Sequence, residues 1–162
     1  MANLNAPFGL NPVGSISGGA NQKLNEYKIA SNETNAIFQG DMVQPDSGNI
    51  QQAGTGTTNI GVFWGCKFDD ATTNKPTFKN QSVAGGNGAV ADAFVYDDPH
   101  QVFEVQGDGA SAQTDVMQTA DVVVGTGSTA TGVSGMTLDS AGPAGIGAVS
   151  YTHLTLPTMD SV

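Results

Sequence analysis

The chain contains no arginine. Its five bases are all lysines, set against 15 acids, for a formal charge of −10 over 162 residues. Without a guanidinium there is no planar fork for bidentate phosphate or guanine recognition, and an acidic surface repels a polyanion. Nucleic-acid binding is excluded on that ground. Cysteine occurs once, at Cys66, which removes an internal disulfide framework and a multi-cysteine zinc site. No apolar run approaches the roughly 18 residues of a membrane span, so no membrane partner is expected. Residues 1–10 lack the basic start of a secretory signal.

Histidine is nearly as scarce, with His100 and His153 alone. A Ser or Cys nucleophile needs a base held by a third group. There is no local G-x-S-x-G, and Cys66 with His100 is the single pair to weigh before the final residues. A small buried cysteine and a turn histidine is the plainer reading of both. Paired acids stand at Asp69-Asp70 and Asp97-Asp98, but the spaced ligand ladder of a calcium loop is missing, so solvated turn acids are expected. The tracts Gly85-Gly86-Asn87-Gly88 and Gly125-Thr126-Gly127 lack the Lys-Ser/Thr of a phosphate loop and read as turns. No catalytic set, no metal site and no cofactor are expected.

What the chain does have is glycine, serine and valine. Gly, Pro, Ser and Gln make up 50 of the 162 residues, a share typical of low-complexity chains. Leu, Ile, Val and Phe make up 34, close to the lower limit for a folded chain. Valine supplies 15 of those 34, which favours strands. The composition points to a small β-built core that neighbouring subunits complete.

Along the chain, residues 1–22 combine Pro7, Gly9, Pro12, Gly14, Gly18 and Gly19 with regularly spaced Leu4, Phe8, Leu10, Val13 and Ile16. The breakers exclude a helix or a long strand, and the apolar spacing fits an extended N-terminal arm lying on another surface; the alternative is a solvated leader. Residues 26–30 alternate as a strand. Residues 37–53 read as a hairpin around Pro45-Asp46-Ser47-Gly48, and Ile60-Gly61-Val62-Phe63-Trp64-Gly65-Cys66 as a buried strand. Residues 68–88 are expected to be a long loop with a short strand near 77–79. Residues 91–96 and 101–106 are strands flanking the Asp97-Asp98-Pro99-His100 turn. Residues 111–120 have no Gly or Pro and room for a helical turn or two; residues 121–125 and 133–138 close the set of strands. The fold class is therefore all-β, a small barrel or sandwich of short strands with long glycine-rich loops. The domain division is 1–22 as arm, 23–148 as a single β-rich domain and 149–162 as a separate segment. In that last segment VSYTHLTLPT resembles the in-frame translation of a sequencing-library adapter, of the kind found at the ends of metagenome-derived reading frames. The expectation is that the native chain ceases to be readable near Ala148.

Three blocks carry a family resemblance: Phe38-Gln39-Gly40-Asp41-Met42-Val43, Ser47-Gly48-Asn49-Ile50 and Ile60-Gly61-Val62-Phe63-Trp64-Gly65. Together they resemble the "G-D-x-V … G-x-I … G-V-x-x-G" pattern of phage head decoration proteins. Residues 5–13, Tyr96-Asp97-Asp98-Pro99 and Phe103-Glu104-Val105-Gln106 are similar to small structural proteins of marine podovirus-like phages. The resemblance spans about residues 5–140, and its blocks are hairpin and turn types found in many β proteins. It implies a non-enzymatic capsid decoration or cement protein on the outer surface of the virion, assembled in the host cytoplasm. Its partners would be the major capsid protein and further copies of itself, as a homotrimer. On that reading Leu4, Phe8 and Leu10 contact the capsid, while Ile60, Val62, Phe63 and Trp64 form core or subunit packing. The competing reading is a head-fibre or glycan-binding virion protein, favoured by Trp64 and Tyr96 exposed on one face. A β-rich trimeric enzyme of the nucleotide-hydrolase kind would need acids such as Asp97 and Asp98 converging with a base.

Overall fold

The computed structural model describes residues 5–18 and 23–140. Leu4 and the adapter-like segment lie outside the described residues. The chain is all-β. Its strands are β1 (Asn11–Ser15), β2 (Asn25–Ile29), β3 (Ile37–Phe38), β4 (Met42–Asp46), β5 (Asn49–Gln52) and β6 (Gly61–Asp69). They continue as β7 (Pro76–Lys79), β8 (Gln81–Ser82), β9 (Ala91–Tyr96), β10 (Gln101–Glu104), β11 (Val122–Val123) and β12 (Thr137–Leu138).

The main sheet runs β2-β9-β6-β4-β5, with β7 added to β6, and every pairing in it is antiparallel. Its two ends, β2 and β5, approach each other without pairing, so the sheet curls, but among the described residues no sheet closes into a barrel. Inside the curl Ile29, Ile37, Val43, Ile50, Phe63 and Val95 form the first core. A second core packs Leu10, Met42, Val62, Val122, Met136 and Leu138 between the main sheet and the small pairs β1–β10 and β11–β12. Strand β6 separates the two: Val62 faces the second core and Phe63 the first, as the two-residue period of a strand requires.

A bulge then breaks that period. Phe63 pairs with Val95 and Gly65 with Phe94, leaving Trp64 as the extra residue. Beyond it the inward positions are Cys66 and Phe68 rather than Gly65 and Lys67. The bulge thus keeps a lysine out of the core.

Turn chemistry accounts for most of the connections. Ser47 and Gly48 both have positive φ, 48° and 84°, the geometry of a tight primed hairpin turn joining β4 to β5. The turn after β6 is held by the Asp70 carboxylate, which accepts the N–H groups of Thr72 and Thr73 at 2.9 Å. The expected loop over 68–88 is therefore shorter than its polarity suggests: Phe68 and Asp69 still belong to β6, and β7 and β8 occupy much of the rest. Residues 111–120 make only a three-residue 3-10 turn, Gln113–Asp115, with no buried side chain. Without an apolar stripe there is no packing to extend it. The strands at 91–96 and 101–106 do not pair as a hairpin, since β10 leaves the main sheet for β1.

The N-terminal segment departs from the expected arm. Residues 11–15 form a strand paired with β10, bulged at Val13, and Leu10 is buried at 2 % exposure in the second core. The physical reason lies in backbone satisfaction: Leu10 N–H donates to the Gly40 carbonyl at 2.9 Å and Ile16 N–H to that of His100 at 2.9 Å. Over its described residues this segment lies on its own chain.

Candidate functional site

The candidate residues converge on one junction. Gly40 links three segments: its carbonyl accepts from Leu10 and its N–H donates to the Phe63 carbonyl at 2.8 Å. Ser134 N–H in turn donates to the Gln39 carbonyl at 2.9 Å. Close approach requires glycine here. Gly9 has φ +71° and a Cβ on it would lie 2.5 Å from Ser134 Cβ and 2.7 Å from the Gly40 oxygen.

Asp41 sits in the middle of this junction with no exposed surface. Its Oδ2 accepts the Phe38 N–H at 2.8 Å and the Gln52 amide at 2.8 Å. Burial raises the carboxyl above the ordinary range, opposed by the Ser134 hydroxyl, the Phe38 N–H and the Gln52 amide. The Gly-Asp step between β3 and β4 is thus a buried crossing point, which hairpin patterning alone does not reveal.

Outside the junction Phe8, Leu10, Gln39, Gly40, Trp64 and Val133 line a shallow groove of about 310 Å³. The structure therefore brings Phe8 and Leu10 together with Trp64. Phe8 is 37 % exposed, and the same segment presents Val13 at 54 % and Ile16 at 60 %. Val62 and Phe63 are buried and Ile60 is half-buried against the first core. Trp64 is half-buried and meets Tyr96 edge-on at 5.5 Å between ring centroids; Tyr96 meets Phe103 in the same way at 6.4 Å.

A second cleft, of about 290 Å³, has Leu10, Met42 and Val62 on its apolar side and Asp97 and Asp98 at its polar side. The two carboxylates serve different neighbours. Asp97 accepts from Asn25 at 2.8 Å and from the Tyr27 hydroxyl at 2.6 Å, a bond that raises the Tyr27 pKa. Asp98 accepts the His100 N–H at 2.8 Å and lies 3.4 Å from its Nδ1.

Cys66 and His100 are not brought together. Cys66 pairs in register with Ala93, whereas His100 lies past the far end of β9. The thiol donates to the Gln81 carbonyl at 3.4 Å, and burial pushes its pKa up to about 11. At neutral pH it is a buried neutral group rather than a nucleophile. Among the described residues no group of three or more His, Cys, Asp or Glu side chains could hold a metal ion.

Sequence reasoning missed Asp41 and Ser134 as junction residues. The Gly-Asp break was the only signal for the first, and nothing local marks the second. No protein-family model, curated protein or solved structure matches the chain.

Proposed function

We propose that this protein is a non-enzymatic virion component that decorates the outer surface of a phage head and stabilises it. Its partner is the major capsid protein, and it works as a homo-oligomer, a trimer on the resemblance stated above. The observation that carries the reading is the row of outward apolar side chains on the N-terminal segment, Phe8, Val13 and Ile16, on a chain of net charge −10. Exposed apolar side chains flanking a groove are what a protein partner buries. The strong negative charge suits an exterior surface better than contact with packaged DNA. The contact role passes from Leu10, which is committed to its own core, to Phe8 and the two residues beyond it.

The glycan-binding reading needs an open pair of rings. Tyr96 is only 6 % exposed and Trp64 packs edge-on against it, so these rings serve as packing.

The test is co-sedimentation of the protein with expanded, undecorated podovirus-like heads, together with the heat resistance of the decorated particles. Saturable binding that the Phe8→Ser/Val13→Ser/Ile16→Ser variant loses, with its unfolding midpoint little changed, supports the proposal. Absence of saturable binding by the parent protein overturns it.

A further inference from the structure

Asn87-Gly88 is the chain's one Asn-Gly step. Glycine after asparagine matters chemically, because no side chain shields its nitrogen from the carboxamide of the residue before it. The step lies in the connection between β8 and β9, outside every strand. Gly88 is exposed at φ +75°, and among the described residues its N–H makes no hydrogen bond. Its nitrogen is therefore uncommitted and open to water.

The Asn87 carboxamide is held at both ends. Its Oδ1 accepts the Val83 N–H at 3.4 Å, and its Nδ2 donates to the Ser82 hydroxyl at 3.0 Å. Ser82 has no exposed surface, and among the described residues this is its hydroxyl's one hydrogen bond. These are the two atoms whose charge changes when Cγ is attacked: the oxygen becomes an oxyanion and the nitrogen a leaving group. A backbone N–H stands at the first, and a hydroxyl that can rotate and donate stands at the second. The loop is also pinned. Gly86 N–H donates to the Val83 carbonyl at 3.1 Å, and a Cβ on Gly86 would fall 1.8 Å from the Ser31 oxygen.

We propose that Asn87 is a self-modification site, at which the chain deamidates through a cyclic imide closed by the Gly88 nitrogen. That nitrogen attacks Asn87 Cγ, and the new N–C bond closes a five-membered ring. The Cγ–Nδ2 bond then breaks, and the proton lost by Gly88 reaches Nδ2 through the Ser82 hydroxyl, so that ammonia leaves. Water opens the ring at either carbonyl and gives aspartate or isoaspartate at position 87. The change is one-way, and it adds a negative charge to the loop. It also removes the amide partner of Ser82. The isoaspartate form lengthens the main chain by a methylene, in a loop whose fit on Ser31 leaves no slack. Because Ser82 pairs with Ile37, the effect reaches β3, and the site acts as a slow timer on the β3–β8 pair.

The test follows amide-to-carboxyl conversion at each asparagine, by peptide mapping of the full chain incubated in mildly alkaline buffer with and without urea. Chromatography separates the aspartyl and isoaspartyl peptides. In the native chain Asn87 converts ahead of every other asparagine, to both products, and at least as fast as in the unfolded chain. Ser82→Ala slows the native reaction about tenfold and leaves the rate in urea unchanged, as loss of a proton donor requires. Asn87→Gln, whose longer side chain needs a larger ring, stays intact at that position. Circular dichroism confirms that both variants fold. Conversion at Asn87 that is slower in the native chain than in urea overturns the proposal, and this comparison needs no variant. A native Ser82→Ala rate equal to the parent's overturns the role given to Ser82.

Discussion

Asp41 offers the sharpest test of how the junction is held. Its carboxyl is fully buried, and burial outweighs the hydrogen bonds it receives, so its pKa in the fold lies above the ordinary 3.8. Between the unfolded and folded values the native state binds more protons than the unfolded chain. Stability contributed by this group therefore rises as pH falls through the folded pKa, and levels off below the unfolded one. This is the reverse of Asp70, whose pKa is lowered by the Thr73 and Thr72 N–H groups and whose contribution is lost on acidification. Asp41→Asn separates the effects. The amide oxygen keeps the acceptor for Phe38 and Gln52 and the buried charge is gone, while the N–H₂ takes the Oδ1 position, where no hydrogen-bond partner lies among the described residues. The stability of this variant relative to the parent is greatest at pH 7 and falls steadily as pH approaches 4. Asp41→Ala instead leaves the Phe38 N–H without its acceptor, at a cost of about 1–3 kcal/mol for a buried group. The half-buried Gln52 amide re-solvates and adds little. With the small cavity included, about 2–3 kcal/mol is expected. Urea unfolding followed through the single tryptophan, Trp64, measures all three proteins at pH 4, 5.5 and 7. A gap between Asp41→Asn and parent that does not vary with pH refutes the buried-charge argument. Equal stability of the Ala and Asn variants refutes the hydrogen-bond argument.

Other outcomes follow from the same geometry. Phe63→Ala, at a site with no exposed surface, lowers stability by about 3–5 kcal/mol in the same urea assay. Gly9→Ala forces a side chain into a left-handed backbone against Ser134 and Gly40, costing about 2 kcal/mol or more and loosening protection of the Leu10 amide in hydrogen exchange. Cys66, buried with its pKa raised to about 11, stays unlabelled by a thiol reagent at pH 8 until the protein is unfolded. Phe78→Ser removes an exposed ring and changes the unfolding free energy by less than about 0.5 kcal/mol in the same urea assay.

The local signals were strong where turn chemistry and alternation coincided. The 37–53 hairpin, the β9 strand and the apolar run of β6 are all visible in the residues, because each depends on neighbours in sequence; the turn expected at Pro45-Asp46-Ser47-Gly48 falls one residue later, with Pro45 and Asp46 still paired in β4. The strand at 11–15 was less legible, since Pro12 and Gly14 argue against β structure until a partner strand supplies the hydrogen bonds, whereas the short strand expected near 77–79 is present as β7. The candidate residues Phe8, Leu10 and Trp64 could each be picked out as conspicuous, but not their meeting in one groove.

Composition and spacing by themselves determined the all-β class, the acidic character and the confinement of the lysines to residues 23–79, because these are properties of the chain. Tertiary structure alone decided which way the side chains of β6 face. Strict alternation from Phe63 would send Lys67 inward; the bulge at Trp64 shifts the period by one, so Cys66 and Phe68 fill the core and Lys67 meets Phe78 outside. It likewise decided that residues 5–18 fold onto their own chain and that Asp41 is buried. Those outcomes depend on hydrogen bonds between segments far apart in sequence, and no local pattern encodes where such partners will arrive.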